Sequence, residues 1–334
     1  GEIAAHAVSV LRHRRLGTVI AVGYGPGSLV TPVADALAAA VRRDGLRLQE
    51  LLRVQDGRYW SYLCANPGCC PPEGVPFDVQ ANPAAAAMTV AGMVALPDRA
   101  ALAGTVAPVT GPAAQAMERA TRRARDRAAG LAAQAGMDGR PPGGRLLDAG
   151  RHAVQEAIAT YRGGGRVTAD DEVAWLSVVL ALLPVRDDAW ARMEPEAALR
   201  EAHLRLWADL VRRSCRAYRP APASLLAFTA WQSGDGALAN IALDMALEAD
   251  PGYSLALLLR DIVEAGVPPS AARLPMTPEQ VAAGYAAAGY EAAPAAARGA
   301  GAAPDAAAAP GAGAARGAAR RGRGTGRKRR PTRR

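Results

Sequence analysis

The pattern of apolar and polar positions divides this chain at one stretch, Asp56 to Pro76. Before it, helix-like and strand-like periods alternate; after it, nearly every patterned segment is helical. Over Glu2 to Arg15, Ile3, Ala7, Val10 and Leu11 recur on one helical face. Arg12, Arg14 and Arg15 close that helix, where cations meet the negative end of its dipole. Thr18 to Tyr24 is a short β-branched and apolar run, the pattern of a buried strand. A helix is expected from about Thr31 to Arg43, ended by Gly45, and Leu46 to Val54 returns as a strand, which makes one βαβ unit. Asp56-Gly57 is a hairpin signal, and Arg58 to Leu63 alternates as its second strand.

Helical patterning follows. Asn82-Pro83 opens a helix to about Val94, Pro97-Asp98 one to about Val106, and Gly111-Pro112 a long one to about Ala135. The long helix carries Arg119, Arg122, Arg123, Arg125 and Arg127 among Glu118 and Asp126, and reads as solvated and partly exposed. Pro141-Pro-Gly-Gly lies in an expected linker, 136–145. Beyond it, Leu147, Val154, Ile158 and Tyr161 share a face, Thr168 with Asp171 is set to cap the next helix, and Val173 to Leu183 is nearly all apolar and so central. In Glu196 to Arg213, His203 falls on the inward face with Leu199 and reads as a core histidine; His6 and His13 read as ordinary helix-end histidines. Ala223 to Tyr253 is similar to a single tetratricopeptide-like helix pair, with Gly234-Asp-Gly as its turn and Ala239, Leu243 and Ala246 at the close contact. The expected organisation is an α/β domain with a Cys-rich loop and trailing helices (1–135), a linker (136–145), a helical domain (146–291) and a tail (292–334).

Composition changes this picture at the tail. The chain has 334 residues, half of them apolar, yet only 4% are aromatic, so its core must come from Leu, Val, Ile and a few Trp and Tyr. The net charge is +9. From Glu291 onward there are 11 basic and 2 acidic residues, which leaves 29 of each sign in the rest. The folded part is therefore neutral, and the basic pI of the whole chain does not mark the folded part as a nucleic-acid binder. The tail is Ala, Gly, Pro and Arg, a composition expected to stay disordered. Its end, Arg327-Lys-Arg-Arg-Pro-Thr-Arg-Arg, suits weak contact with nucleic acid or another polyanion. No apolar run reaches the length of a membrane span, and four Cys in this length do not form a disulfide scaffold, so the expected location is cytoplasmic.

Two places invite chemistry. The first is Gly23, Gly25, Gly27 and Ser28, a Gly-rich turn between a strand and a helix, where phosphates bind in other folds. It lacks both the Gly-x-Gly-x-x-Gly spacing and the Gly-Lys-Ser/Thr ending, and Pro26 removes an amide; a tight βα turn is the preferred reading over a cofactor site. The second is Cys64, Cys69 and Cys70, in a loop too rich in Pro and Gly for regular backbone bonding. The readings for these thiols are structural packing, which is preferred, a metal site, or a redox or disulfide role. Zinc is not favoured, because adjacent cysteines rarely ligate one ion comfortably and Cys215 is distant in sequence. Tyr59, Trp60 and Tyr62 are expected to cap the loop, and the Cys64 sulfur is expected beside one of the adjacent pair.

The run Asp56-Gly-Arg-Tyr-Trp-Ser-Tyr-Leu-Cys, with Pro67-Gly-Cys-Cys-Pro-Pro-Glu-Gly, resembles the signature of an actinobacterial family, domain of unknown function 4192. Leu204-Arg-Leu-Trp-Ala-Asp-Leu, Trp231-Gln-Ser-Gly-Asp-Gly-Ala-Leu-Ala and Asp250-Pro-Gly-Tyr-Ser-Leu-Ala resemble its C-terminal part, so the likeness covers roughly Gly1 to Ser270. The resemblance implies a further N-terminal segment before Gly1, and no catalytic residue carries over from it. Two functions stay open: a non-enzymatic interaction or scaffold protein with an unidentified protein partner, which is preferred, or a small-molecule or metal-dependent enzyme with its site between the Gly23–Ser28 turn and the Cys64–Cys70 loop.

Overall fold

The structure, a computed structural model, describes residues 2–13, 18–78, 96–134, 143–193, 197–271 and 276–290. The helix expected from Asn82 to Val94, most of the expected linker and the tail lie outside these residues. The chain separates into two compact units, 1–97 and 98–334.

The first unit runs α1 (Glu2–His13), β1 (Thr18–Tyr24), α2 (Gly27–Arg43), β2 (Arg47–Gln55), β3 (Arg58–Ser61) and β4 (Val75–Pro76). The strands form one sheet in the order β1-β2-β3-β4. β1 and β2 are parallel, as the crossover through α2 requires, and the other pairs are antiparallel. Asp56 and Gly57 both take positive φ, 48° and 69°, the geometry of a two-residue turn that matches strand twist. α2 starts at Gly27, four residues before the expected Thr31, because the Pro26 carbonyl already accepts from the amides of Leu29 and Val30. Val19 packs with Ala4 and Val8 of α1 and Ala40 and Val41 of α2, while Leu51 packs with Ala34 and Ala38. Both helices therefore cover the same face of the sheet. Ala buries little area, so this core contributes modestly.

The second unit comprises α3 (Arg99–Thr105), α4 (Gly111–Ala133), α5 (Gly144–Arg162), α6 (Asp170–Val179), α7 (Leu183–Ala191), α8 (Ala197–Arg213), α9 (Pro220–Gln232), α10 (Gly236–Ala249), α11 (Ser254–Glu264) and α12 (Pro278–Ala287). α3 and α4, grouped by sequence with residues 1–135, belong to this unit. Val106, Met117, Ala120, Ala124 and Ala128 join the same buried core as Leu146, Trp207 and Leu226. An alanine stripe looks weak as a core face, but it lets α6 approach closely. The arginines of α4 are engaged: Arg127 stacks at 4.0 Å over the Trp175 ring, and Arg123 bonds Asp171 at 2.5 Å. That bond and the one from Arg213 to Asp170 (2.6 Å) use the acidic first turn of α6, whose N-cap is Ala169; the expected cap from Thr168 is not made, and its carbonyl accepts from Arg213. α9 and α10 form the tetratricopeptide-like hairpin, with the Asp235 side chain capping α10 and Ala239, Leu243 and Ala246 buried against the partner helix.

His203 is a core histidine, 2% exposed, beside Trp207. Burial lowers its pKa to about 4, the charge of Arg162 acts in the same sense, and the Arg192 backbone opposes both. The unfolded chain takes up a proton near pH 6.5 that the fold refuses until about pH 4. Stability of this unit should therefore fall as pH drops through that window, by about 2 kcal/mol between pH 7 and pH 5. Urea unfolding at the two pH values checks this, and His203→Gln should flatten the difference.

Candidate functional site

The loop that carries the cysteines is built from β3 outward. Tyr62 still bonds the Leu51 carbonyl through its amide, and the chain then leaves the sheet. Ser61 turns it: its hydroxyl accepts from the amides of Leu63 and Cys64, both at 3.1 Å, and donates to Glu50 at 2.8 Å. Asn66 makes the second turn. Its side-chain oxygen accepts from Gly68, and its carbonyl accepts from both Cys69 (3.1 Å) and Cys70 (2.8 Å). The return leg rests on Trp60, whose indole N–H donates to the Pro72 carbonyl at 2.9 Å. Gly74 holds φ +83°, and a Cβ there would lie 2.5 Å from the Trp60 ring. Arg53 stacks on the ring at 3.5 Å, and Arg58 donates to the Gly74 carbonyl.

The three thiols meet. The sulfurs of Cys64, Cys69 and Cys70 all lie within 4.8 Å of one another, and Cys69 and Cys70 are 3.9 Å apart. None is in a disulfide, and Cys69 is exposed. The Asn66 backbone N–H, then the Cys70 S–H, hold Cys64 below the usual thiol range. Its hydrogen bond to Cys64, with partial desolvation, pushes Cys70 up to about 11. Of these two thiols, Cys64 therefore gives up its proton more readily than Cys70. Cys215 belongs to the other unit and contacts Thr121 at 3.3 Å.

Gly23 lies near the end of β1, Gly25 in the β1–α2 turn, and Gly27 and Ser28 open α2. A Cβ on Gly23 would meet Val30 at 2.5 Å, and Gly25 has φ +128° with its amide bonded to Val54. Strand–helix packing thus accounts for Gly23, and positive φ for Gly25. Gly27 lies by the Arg53 guanidinium. The turn sits at the carboxyl end of β2, by Val54, whereas the Cys loop leaves β3 opposite Leu51 and Leu52, away from that end. Arg53, Trp60 and Tyr62, which bonds Thr31 at 2.7 Å, stand between the two places.

The family described as Domain of unknown function (DUF4192) matches residues 1–270. The chain belongs to this family. The match takes in the Cys loop and the second unit to the end of α11, and α12 and the tail lie outside it. No curated protein and no solved structure matches it. For this DUF4192 member, the site therefore rests on its own geometry. Arg53, Ser61 and Asn66 escaped the sequence reading. Asn66-Pro-Gly carried a signal for the last, since an Asx turn places the side chain on the amide two residues on. Of the expected caps, Trp60 supports the loop, Tyr62 reaches α2, and Tyr59 turns to Phe77.

Proposed function

We propose that this chain is a non-enzymatic cytoplasmic interaction protein whose first unit docks on a protein partner. The observation that carries this reading is the uncovered sheet face. Nine of the ten exposed large apolar side chains among the described residues belong to residues 1–97. On β1, Val19 faces the helices, while Ile20, Val22 and Tyr24 point away and are 66%, 44% and 79% exposed. Contiguous apolar surface of this kind marks interaction sites. The second unit, by contrast, buries its large apolar side chains well. An enzyme with a site between the βα turn and the Cys loop is less well supported, because the two diverge along β2 and side chains stand between them. No helix among the described residues is long and apolar enough to cross a membrane.

A photo-crosslinking residue at Tyr24 tests the reading in the native host. One discrete intermolecular product, lost when Ile20 and Val22 become Lys, is expected. Crosslinks only within the chain would sink it. The tail is a separate, polyanion-binding element in this proposal. Full-length protein should bind heparin with steep salt dependence, and a chain ending at residue 290 should not. Binding retained after truncation would move the activity to the folded units.

A further inference from the structure

We infer that Cys64, Cys69 and Cys70 bind one thiophilic d10 cation, Zn2+ or Cu+, through their three sulfurs. This assignment does not rest on the docking proposal. Metal–sulfur bonds of about 2.3 Å place tetrahedral ligand sulfurs about 3.8 Å apart. Cys69 and Cys70 already stand at 3.9 Å, and no pair of ligand sulfurs exceeds 4.8 Å. Closing on an ion thus asks for movements on the order of 1 Å or less, within the slack of side-chain rotation.

The objection from adjacency is answered by the backbone. Because the Asn66 carbonyl accepts from both Cys69 and Cys70, the chain curls tightly there and the two sulfurs fall on one side. Ser61 fixes Cys64, and Trp60 fixes the return leg, so the thiols are positioned by hydrogen bonds and not by a disulfide. No fourth Cys, His, Asp or Glu joins the group among the described residues. The ion would keep an open position, filled by water on Zn2+ and left vacant on three-coordinate Cu+. Exposed Cys69 gives the ion a path in. On binding, each ligating thiol releases its proton to solvent. Thiolate donors of this kind select Zn2+ and Cu+ over Mg2+ or Ca2+.

The test uses full-length, tag-free, reduced and chelator-treated protein. Zn2+ is added in one arm and Cu+, delivered from a weak chelate, in the other, and metal retained after gel filtration is counted. One ion per chain is expected in at least one arm, which also names the ion. Alkylation followed by peptide mapping gives a readout on the unmutated chain. Metal should protect Cys64, Cys69 and Cys70 and leave the labelling rate of Cys215 unchanged. Cys64→Ser and Cys70→Ser should each weaken retention roughly tenfold or more, and Cys215→Ser should not. No retention in either arm, protection of Cys215 along with the loop, or unchanged retention in the Cys64→Ser/Cys70→Ser double variant would each overturn the assignment.

Discussion

Asp187→Ala should destabilise the second unit by about 3–5 kcal/mol, the cost of stranding a buried charge. Arg186 is 4% exposed and bonds Asp187 at 2.7 Å and the Tyr253 hydroxyl at 3.2 Å. Burial alone would lower the Arg186 pKa, but Tyr253 and Asp187 more than reverse it, so the cation is held firmly. The Tyr285 hydroxyl donates to the other oxygen of Asp187 at 2.6 Å, which ties α12 to α7. Removing Asp187 breaks both links at once. The double variant Arg186→Met/Asp187→Ala should recover much of the loss, because no unpaired charge is left inside. Denaturant unfolding of the two variants measures this. Equal stabilities for single and double variants would show that the pair is not coupled as described.

Gly74→Val should have the second large effect, confined to the Cys loop. A side chain at φ +83° costs about 1–2 kcal/mol by itself. The added atoms also collide with the Trp60 ring, so that ring must move. Its bond to Pro72 and its stack with Arg53 then go, at about 1 kcal/mol each. A local loss of about 3 kcal/mol corresponds to exchange of the Cys69 and Cys70 amides on the order of 100-fold faster. Hydrogen exchange read by NMR checks it. Unchanged protection would mean that Trp60 does not hold the loop.

Much of this was legible in the chain. The βαβ order followed from periodicity, the hairpin from Asp56-Gly57, and the helical hairpin from Gly234-Asp-Gly with its small residues. What failed did so for physical reasons. The α4 arginines are exposed, as read, but the alanine stripe beside them went unread, because Ala carries too little area to mark a core face by pattern. The Thr168 cap gave way to long-range bonds with Arg213, which no local rule sees. At the candidate site, the three cysteines were visible as a group. Their common side was not, because it depends on which carbonyl closes the turn, and Asn66 does so twice. The uncovered face of β1 was hidden for the same kind of reason. A β-branched run reads as buried on both faces, and only the placement of α1 and α2 on one side exposes the other.

The claim that this face is kept for a partner requires that the folded chain not depend on it. Ile20→Thr, Val22→Thr and Tyr24→Thr together keep good strand formers while removing the apolar surface. Hydrogen exchange of the amides in β2, read by NMR in full-length protein, measures whether the sheet has lost packing. The account predicts protection within about twofold of the parent chain, since exposed side chains contribute little. A loss of protection of about tenfold or more, equal to about 1.4 kcal/mol, would mean that the face is buried within the chain itself and would contradict the account.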